Sequence, residues 1–395
     1  MKRSIIACAL FFIGTIAMAQ TSKRVMKKLI TSDLRIAEKQ YKYLMKKLPD
    51  DVMPRSFEAK DNKLVTSGTS WWCSGFYPGT LWYLYEHSGD AVIREEAEKR
   101  LNILEIEKNN TGTHDLGFMM HCSFGNAFRI TGNPAYKNVL NASALSLSTR
   151  YRPLIKSIQS WDRHRVFKCP VIIDNMMNLE LLNWVTDNGG DKKFKDISID
   201  HSNTTMINHY RPDFSSYHVV DYDLSTGEVL GQKTWQGAED SSAWSRGQAW
   251  GLYGFTLMYR STKDTRYLDL ANKIAQYILN HPNLPTDMIP YWDFDAKDIP
   301  LAPRDASAAA ITASALLELG QYVGKKDRKK YQSAAEKMIQ TLSSNEYLAK
   351  VGENGGFLLK HSVGNFRSNS EVDVPLTYAD YYFVEALMRY KKWYL

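Results

Sequence analysis

The stretch Val171–Trp184, VIIDNMMNLELLNW, decides how the chain is read. It is apolar almost all round, the pattern of a helix covered on every side rather than of an amphipathic surface helix. One ionisable residue, Asp174, stands near its start. A carboxylate there is either an N-cap that accepts hydrogen bonds from free backbone N–H groups or an acid whose pKa is raised by apolar surroundings.

Directly after it, Val185–Thr205 (VTDNGGDKKFKDISIDHSNTT) has a Gly/Asp turn and then a charged segment. The same sequence of turn and amphipathic segment recurs in Tyr85–Leu101, Phe128–Leu147, Tyr259–Leu279 and Tyr322–Leu342. In each, the turn ends one helix and an Asp or Asn is placed to cap the next. The outer segments carry apolar residues at helical spacing, as in Tyr267, Leu270, Ala271, Ile274, Tyr277 and Ile278. The segments before the turns are Gly79–Tyr85, Gly117–Phe128, Ile172–Trp184, Gly247–Tyr259, Ala306–Leu319 and Tyr378–Tyr390. They hold few charges, so they must be covered on several sides. An opening helix at about Ser22–Lys47 and a closing one at Tyr378–Tyr394 complete the set. Buried and half-exposed helices in alternation predict an all-α closed toroid, an (α/α)6 barrel. An open solenoid would need polar capping repeats. Strand signals are sparse; His218–Asp223 with Leu224–Gly227 reads as part of a minor β-hairpin.

The first residues, MKRSIIACALFFIGTIAMAQ, have a charged start, an apolar run and Ala17-Met18-Ala19 before Gln20. Residues 1–19 therefore read as a cleaved secretory signal, residues 20–395 as one catalytic domain without linkers, and the destination as the periplasm. The apolar run is short for a membrane span. The net charge of +7 includes Lys2 and Arg3, and basic tracts interleaved with aromatics are lacking, so nucleic acid is not an expected partner. Beyond the leader the cysteines are Cys73, Cys122 and Cys169, an odd count that is no disulfide framework. Cys122, beside His121, and the lone Cys169 read as buried fillers, and no CxxC or HExxH spacing calls for a metal.

In a toroid the inner helices all begin at one end. Ser70–Gly79 (SWWCSGFYPG), Gly112–Phe118 (GTHDLGF), Val171–Asn175, Ala243–Trp250 (AWSRGQAW), Pro303–Ser307 (PRDAS) and Tyr378–Tyr382 (YADYY) would then wall a single cavity. Each of Asp115, Asp174, Asp305 and Asp380 can instead be a helix cap. Arg246 and Arg304 can tie loops to carbonyls or to those aspartates. Trp72, Trp235, Trp244 and Trp250 can be core, and His218 a loop histidine. Gathered at one mouth, however, aromatic planes, Arg, His and carboxylates are what a sugar acid needs. Aromatics cover the ring face and Arg grips the carboxylate. Asp115 and Asp174 there would keep one proton near neutrality.

The runs SGFYPGTLWYLYE, HDLGFM, IIDNMMNLELL, SYHVVDYDLSTGE, SRGQAWGLYGF, RDASAAAI and ADYYFVEAL, in this order from about Trp71 to Arg389, resemble the unsaturated glucuronyl hydrolases, glycoside hydrolase family 88. The resemblance implies an (α/α)6 barrel and no cofactor. It also implies removal of a 4,5-unsaturated uronic acid from the non-reducing end of lyase-generated glycosaminoglycan oligosaccharides by hydration of a vinyl ether. It places the general acid/base on Asp174 and the assisting carboxylate on Asp115. His218, Gln236, Arg246 and Trp250 fall at substrate-binding positions, Trp72 at a stacking position, with Trp244 and Tyr378 beside them. Arg367, Ser368 and Ser370, in the variable loop Gly364–Pro375, are candidate sulfate contacts. Two other readings stay open: an unsaturated rhamnogalacturonyl hydrolase acting on pectin fragments, and a non-catalytic binder of uronic-acid oligosaccharides. Loss of the substrate's ultraviolet absorbance separates the enzymes from the binder.

Overall fold

The computed structural model describes residues 22–395; the signal reading of residues 1–19 lies outside the described residues. The outer helices are α1 (Lys23–Met45), α3 (Ala91–Leu104), α5 (Pro134–Ser148), α7 (Lys193–Asn208), α9 (Thr265–Asn280) and α11 (Lys325–Leu342). The inner ones are α2 (Phe76–Ser88), a π-helix at Gly117–Gly125 that runs into α4 (Asn126–Thr131), α6 (Asn175–Asp187), α8 (Ser245–Thr262), α10 (Ala306–Leu319) and α12 (Thr377–Trp393). Each inner helix packs on the next, and α12 returns to α2, so the ring closes as an (α/α)6 barrel.

Local chemistry explains the alternation. Ser22, Asp90, Asn133 and Asp264 accept hydrogen bonds from the first turns of α1, α3, α5 and α9, which satisfies donors that have no helical partner. Departures occur at α7 and α11, where Lys192 and Gly324 hold the cap position without a side-chain bond. Every residue of α10, ASAAAITASALLEL, is buried. Its small side chains let neighbouring inner helices approach closely while its few hydroxyls bond back to the helix or to charged partners, as Thr312 does to the Ala308 carbonyl.

The all-α expectation needs enlarging. In place of one hairpin there is an antiparallel three-stranded sheet in the order β5 (Pro170–Ile172), β6 (Val219–Tyr222), β7 (Val229–Lys233). Two-stranded ribbons add β1 (Met53–Glu58) with β2 (Lys63–Ser67), β3 (Tyr151–Arg152) with β4 (Ser157–Ile158), and β8 (Ser362–Asn365) with β9 (Ser370–Val374). Val171 and Ile172, expected inside a helix, are strand residues paired with Val220 and Val219. Leu224–Gly227 is the turn before β7 rather than an arm. A short apolar run is ambiguous between strand and buried helix until its partner is known.

Cys122 and Cys169 are buried and free, as fillers should be, and Cys73 is buried and free as well. Among the described residues no helix is long and apolar enough to cross a membrane.

Candidate active site

The N-terminal ends of the inner helices surround a cavity of about 420 Å³. Asp115, Asp174, Arg246, Gln236, Trp72 and Tyr378 all line it, together with Ser368 and Ser370. Sequence reasoning missed part of the wall: Arg55, Trp71, His114, Trp161, Trp235 and Glu371. Three of these had a signal, since Trp71 adjoins Trp72, His114 adjoins Asp115 and Glu371 adjoins Ser370. Trp235 was noticed only as possible core. Arg55 and Trp161 had none, because they sit in the β1–β2 ribbon and a loop.

Asp174 does not cap α6. Its backbone is already α-helical (φ −56°, ψ −29°), and its side chain accepts no hydrogen bond from the helix. The cause is the strand just before it. Ile173 N–H donates to the His218 carbonyl at 3.0 Å, continuing the β5–β6 pairing, and turns the chain into the helix one residue early. The carboxylate is left buried with Oδ2 unpartnered. Burial pushes its pKa up to about 7; Arg246 opposes the rise and Asp115 adds to it. A carboxylic acid that still holds its proton near neutrality results.

His218 Nε2 lies 3.7 Å from Asp174 Oδ2. Its Nδ1 accepts the backbone N–H groups of Trp235 and Gln236, each at 3.0 Å, so the ring proton sits on Nε2 and faces Asp174. Burial, helped by Arg246, holds this imidazole well below its usual pKa, hence neutral.

Asp115 reaches the same cavity from the segment entering the π-helix. Asn178, one turn beyond Asp174, ties the two together. Its Oδ1 accepts Phe118 N–H at 2.9 Å, and its Nδ2 points to Asp115 Oδ1 at 3.4 Å. This approach requires Gly117, where a Cβ would come within 2.4 Å of Asn178 Cα. Burial lifts Asp115 to about 7 against the opposing effects of Asn178, Arg150 and Thr113. π-Helical segments are rare and concentrate at functional sites.

The other aspartates divide as the bland reading anticipated or not at all. Asp305 is a cap, accepting Ser307 N–H at 3.0 Å. Asp380 is neither cap nor site residue: it accepts Leu358 and Leu359 N–H at 2.8 and 2.9 Å and the Tyr41 hydroxyl. Arg304 is occupied by the Ile289 carbonyl and Asp287.

Arg246 plays both parts. Its Nη groups hold Gly364 O (2.6 Å), Val363 O, Asp305 Oδ2 (3.2 Å) and Gln236 Oε1 (3.0 Å). Only Nε is unpartnered. The expected bidentate grip on a sugar carboxylate is therefore corrected: both terminal nitrogens already hold the wall, which leaves a fixed positive charge and one free donor.

Three further placements differ from expectation. Trp250 is fully buried and packs on Phe118 (ring centroids 5.0 Å) and Tyr382 (5.4 Å), beneath the cavity rather than in its wall. Trp244 is also buried, between the His218 ring (4.7 Å) and the Arg246 guanidinium (4.6 Å), so it braces the site from behind. Arg367 is exposed on the turn between β8 and β9, off the lining, while Ser368 and Ser370 of the same loop reach it. Trp72 and Tyr378 form an aromatic wall with centroids 4.9 Å apart. Trp161 and Trp235 also line the cavity, from outside the named helices and strands, their rings 6.5 Å apart.

A buried acid, a second carboxyl group, a fixed guanidinium and aromatic walls suit a planar, anionic sugar ring. No family model matches the chain. The unsaturated glucuronyl hydrolase of Formosa agariphila is 45% identical over 338 residues, covering 85% of this chain and 84% of that one. The unsaturated chondroitin disaccharide hydrolase of Streptococcus pyogenes serotype M1 is 33% identical over 374 residues, 92% of each chain. The crystal structure of an unsaturated glucuronyl hydrolase specific for heparin superposes with a TM-score of 0.90 at 46% identity, covering 93% of this chain and 98% of that one.

Proposed function

The chain belongs to the unsaturated glucuronyl hydrolases, and from that premise we propose that it removes the 4,5-unsaturated uronic acid from glycosaminoglycan oligosaccharides, with Asp174 as the group that moves the proton. The observation that carries this reading is the uncapped, buried Asp174 carboxyl, unpartnered at Oδ2 and held near neutrality in a cavity with a second carboxyl group.

The chemistry follows from the substrate. A vinyl ether takes a proton on carbon, so a positioned acid is needed. Protonated Asp174 gives its proton to C4, and the ring oxygen stabilises the cation formed at C5. The Asp174 carboxylate left behind, with Asp115 beside it, stabilises that charge. Asp174 then takes a proton from water as its oxygen adds to C5. The hemiketal so formed opens, and the glycosidic bond is lost in the rearrangement. Arg246 supplies positive charge for the sugar carboxylate through Nε, Trp72 and Tyr378 cover the ring, and Gln236 borders it. His218 Nε2–H faces the nascent Asp174 carboxylate. Ser368 and Ser370 are the loop groups within reach of a sulfate on the second sugar. The composition of residues 2–19 supports a periplasmic location, which cell fractionation checks.

Asp174→Asn is expected to lower kcat on unsaturated chondroitin, hyaluronan or heparin disaccharides by roughly 10³-fold or more, with sugar binding retained. Turnover is followed by loss of the double-bond absorbance. Normal turnover by this variant would overturn the assignment.

A further inference from the structure

The two histidines beside the two aspartates are held in opposite tautomers. His218 presents a proton-bearing nitrogen to Asp174, as shown above. His114 does the reverse. Its Nδ1 lies 2.8 Å from the Ser160 carbonyl, which also accepts Arg150 Nη2 at 3.0 Å. A carbonyl oxygen has no proton to give, so His114 Nδ1 carries the hydrogen and Nε2 is bare in the neutral ring. That bare nitrogen lies 3.3 Å from Asp115 Oδ1.

A lone pair facing an ionised carboxylate in a buried site is repulsive, whereas one proton between them makes a charge-neutral hydrogen bond. We propose that His114 and Asp115 form a dyad that holds one shared proton, and that His114 is the positioning residue which sets when Asp115 is charged. This rests on the function proposed above. At rest the proton lies on Asp115: burial, with Arg150 nearby, pushes His114 down to about 3, and burial lifts Asp115 to about 7. As positive charge forms on the sugar, the Asp115 O–H bond breaks and the His114 Nε2–H bond forms. The dyad turns from neutral to zwitterionic with its negative end toward the cation. When water has added, the proton returns. Net charge on the dyad never changes, so no outside acid or base is required.

The surrounding groups allow this. On the His114 side Arg150 is paired with Asp162 through two bonds of 3.0 and 3.1 Å, so Asp162 offsets part of its positive charge while Arg150 still helps burial hold His114 down. His201 and His218 act on the site as neutral rings, and the thiol of Cys73, pushed up by burial, stays protonated. Thr113 Oγ1 is 3.5 Å from Asp115 Oδ2. Asp174 is a further titrating neighbour, itself raised by burial and by Asp115.

The test is ¹⁵N NMR of the full-length enzyme labelled at histidine, without substrate. His114 is expected as the neutral Nδ1–H tautomer and His218 as the opposite one, with the His114 Nε2 signal shifting as Asp115 titrates near neutrality and that shift abolished in Asp115→Asn. An Nε2–H tautomer for His114, or an Nε2 signal blind to Asp115, overturns the dyad. Kinetics supply the second arm. His114→Asn keeps a donor for Ser160 but removes the base; kcat should fall about tenfold or more with KM nearly unchanged. The double variant with Asp115→Asn should be no slower than Asp115→Asn alone, because members of one unit are not additive. Additive losses overturn the proposal. The NMR arm needs no turnover, so failure of the enzyme on every unsaturated uronide would remove the functional reading and leave the dyad standing.

Discussion

The two ends of the barrel make opposite use of charge. At the C-terminal ends of the inner helices lies a larger cavity, about 660 Å³, lined by Glu180, Glu385, Arg260, Arg389, Lys391 and Trp184 among others. Its charges satisfy one another. Arg260 bonds Glu180 and, at 3.0 Å, Glu318; Arg389 is 3.1 Å from Glu318 and 3.5 Å from Glu385; Tyr253 and Ser314 donate to Glu385 as well. Cations are at home at helix C-termini, where the carbonyl dipoles converge. At the other end, Asp174 Oδ2, Arg246 Nε and the Tyr378 hydroxyl in the smaller cavity, and His218 Nε2 beside Asp174, have no partners. Unmet hydrogen-bonding capacity, and not volume, distinguishes the end proposed to do the chemistry from the end whose ion pairs are complete.

Several variants would break or sharpen this contrast. Arg389→Met should have the largest effect on stability, roughly 3–5 kcal/mol, because it leaves Glu385 buried without its cation. Denaturant unfolding reads the loss, and kcat of the molecules that remain folded should be unchanged; a loss of kcat as large as that of Asp174→Asn would show that the two ends are not separate in role.

Gly117→Ala acts at the reactive end alone. The new methyl group would meet the Asn178 backbone and push the π-helix from α6, separating Asp115 from Asp174. A fall of roughly 10²-fold in kcat is expected for misplacement of that order, with circular dichroism unchanged.

The smallest effect concerns pH. Folded Asp174 keeps its proton to about pH 7, while an unfolded aspartate releases it near 3.9. The stability this tighter proton binding confers is fully present below about pH 4 and is lost as pH rises to about 7. Asp174→Asn has no such dependence, so it should be more stable than the natural protein at pH 8, on the order of 1–3 kcal/mol. The difference should vanish on acidification. Thermal unfolding at the two pH values measures it. The inactive variant being the more stable one would mark the acid as a strained functional group.

The barrel was legible because helix periodicity and caps are short-range signals. Gly89 with Asp90, and Gly132 with Asn133, announce a helix end and the next start within two residues. The low charge of Ala306–Leu319 alone demands cover on all sides. The site was legible in part for the same reason, since residues entering inner helices must share one end. What escaped was everything that depended on a remote partner. Trp161 and Arg55 come to the cavity on a loop and a ribbon whose placement no local pattern announces.

Sequence by itself thus determined the count and order of paired helices, the end at which their N-termini gather, and the kinship to a hydrolase family. Tertiary structure alone decided what each polar residue there does. Asp174 escapes the cap because β5 pairs with β6, Asp305 accepts it, and Arg246 gives its terminal nitrogens to the β8 loop. The physical reason is range. Helix and turn preferences act over about four residues, whereas solvation, pairing and protonation of a buried group are set by atoms brought close from far along the chain, as Asn178 and Asp115, 63 residues apart, are joined in one site.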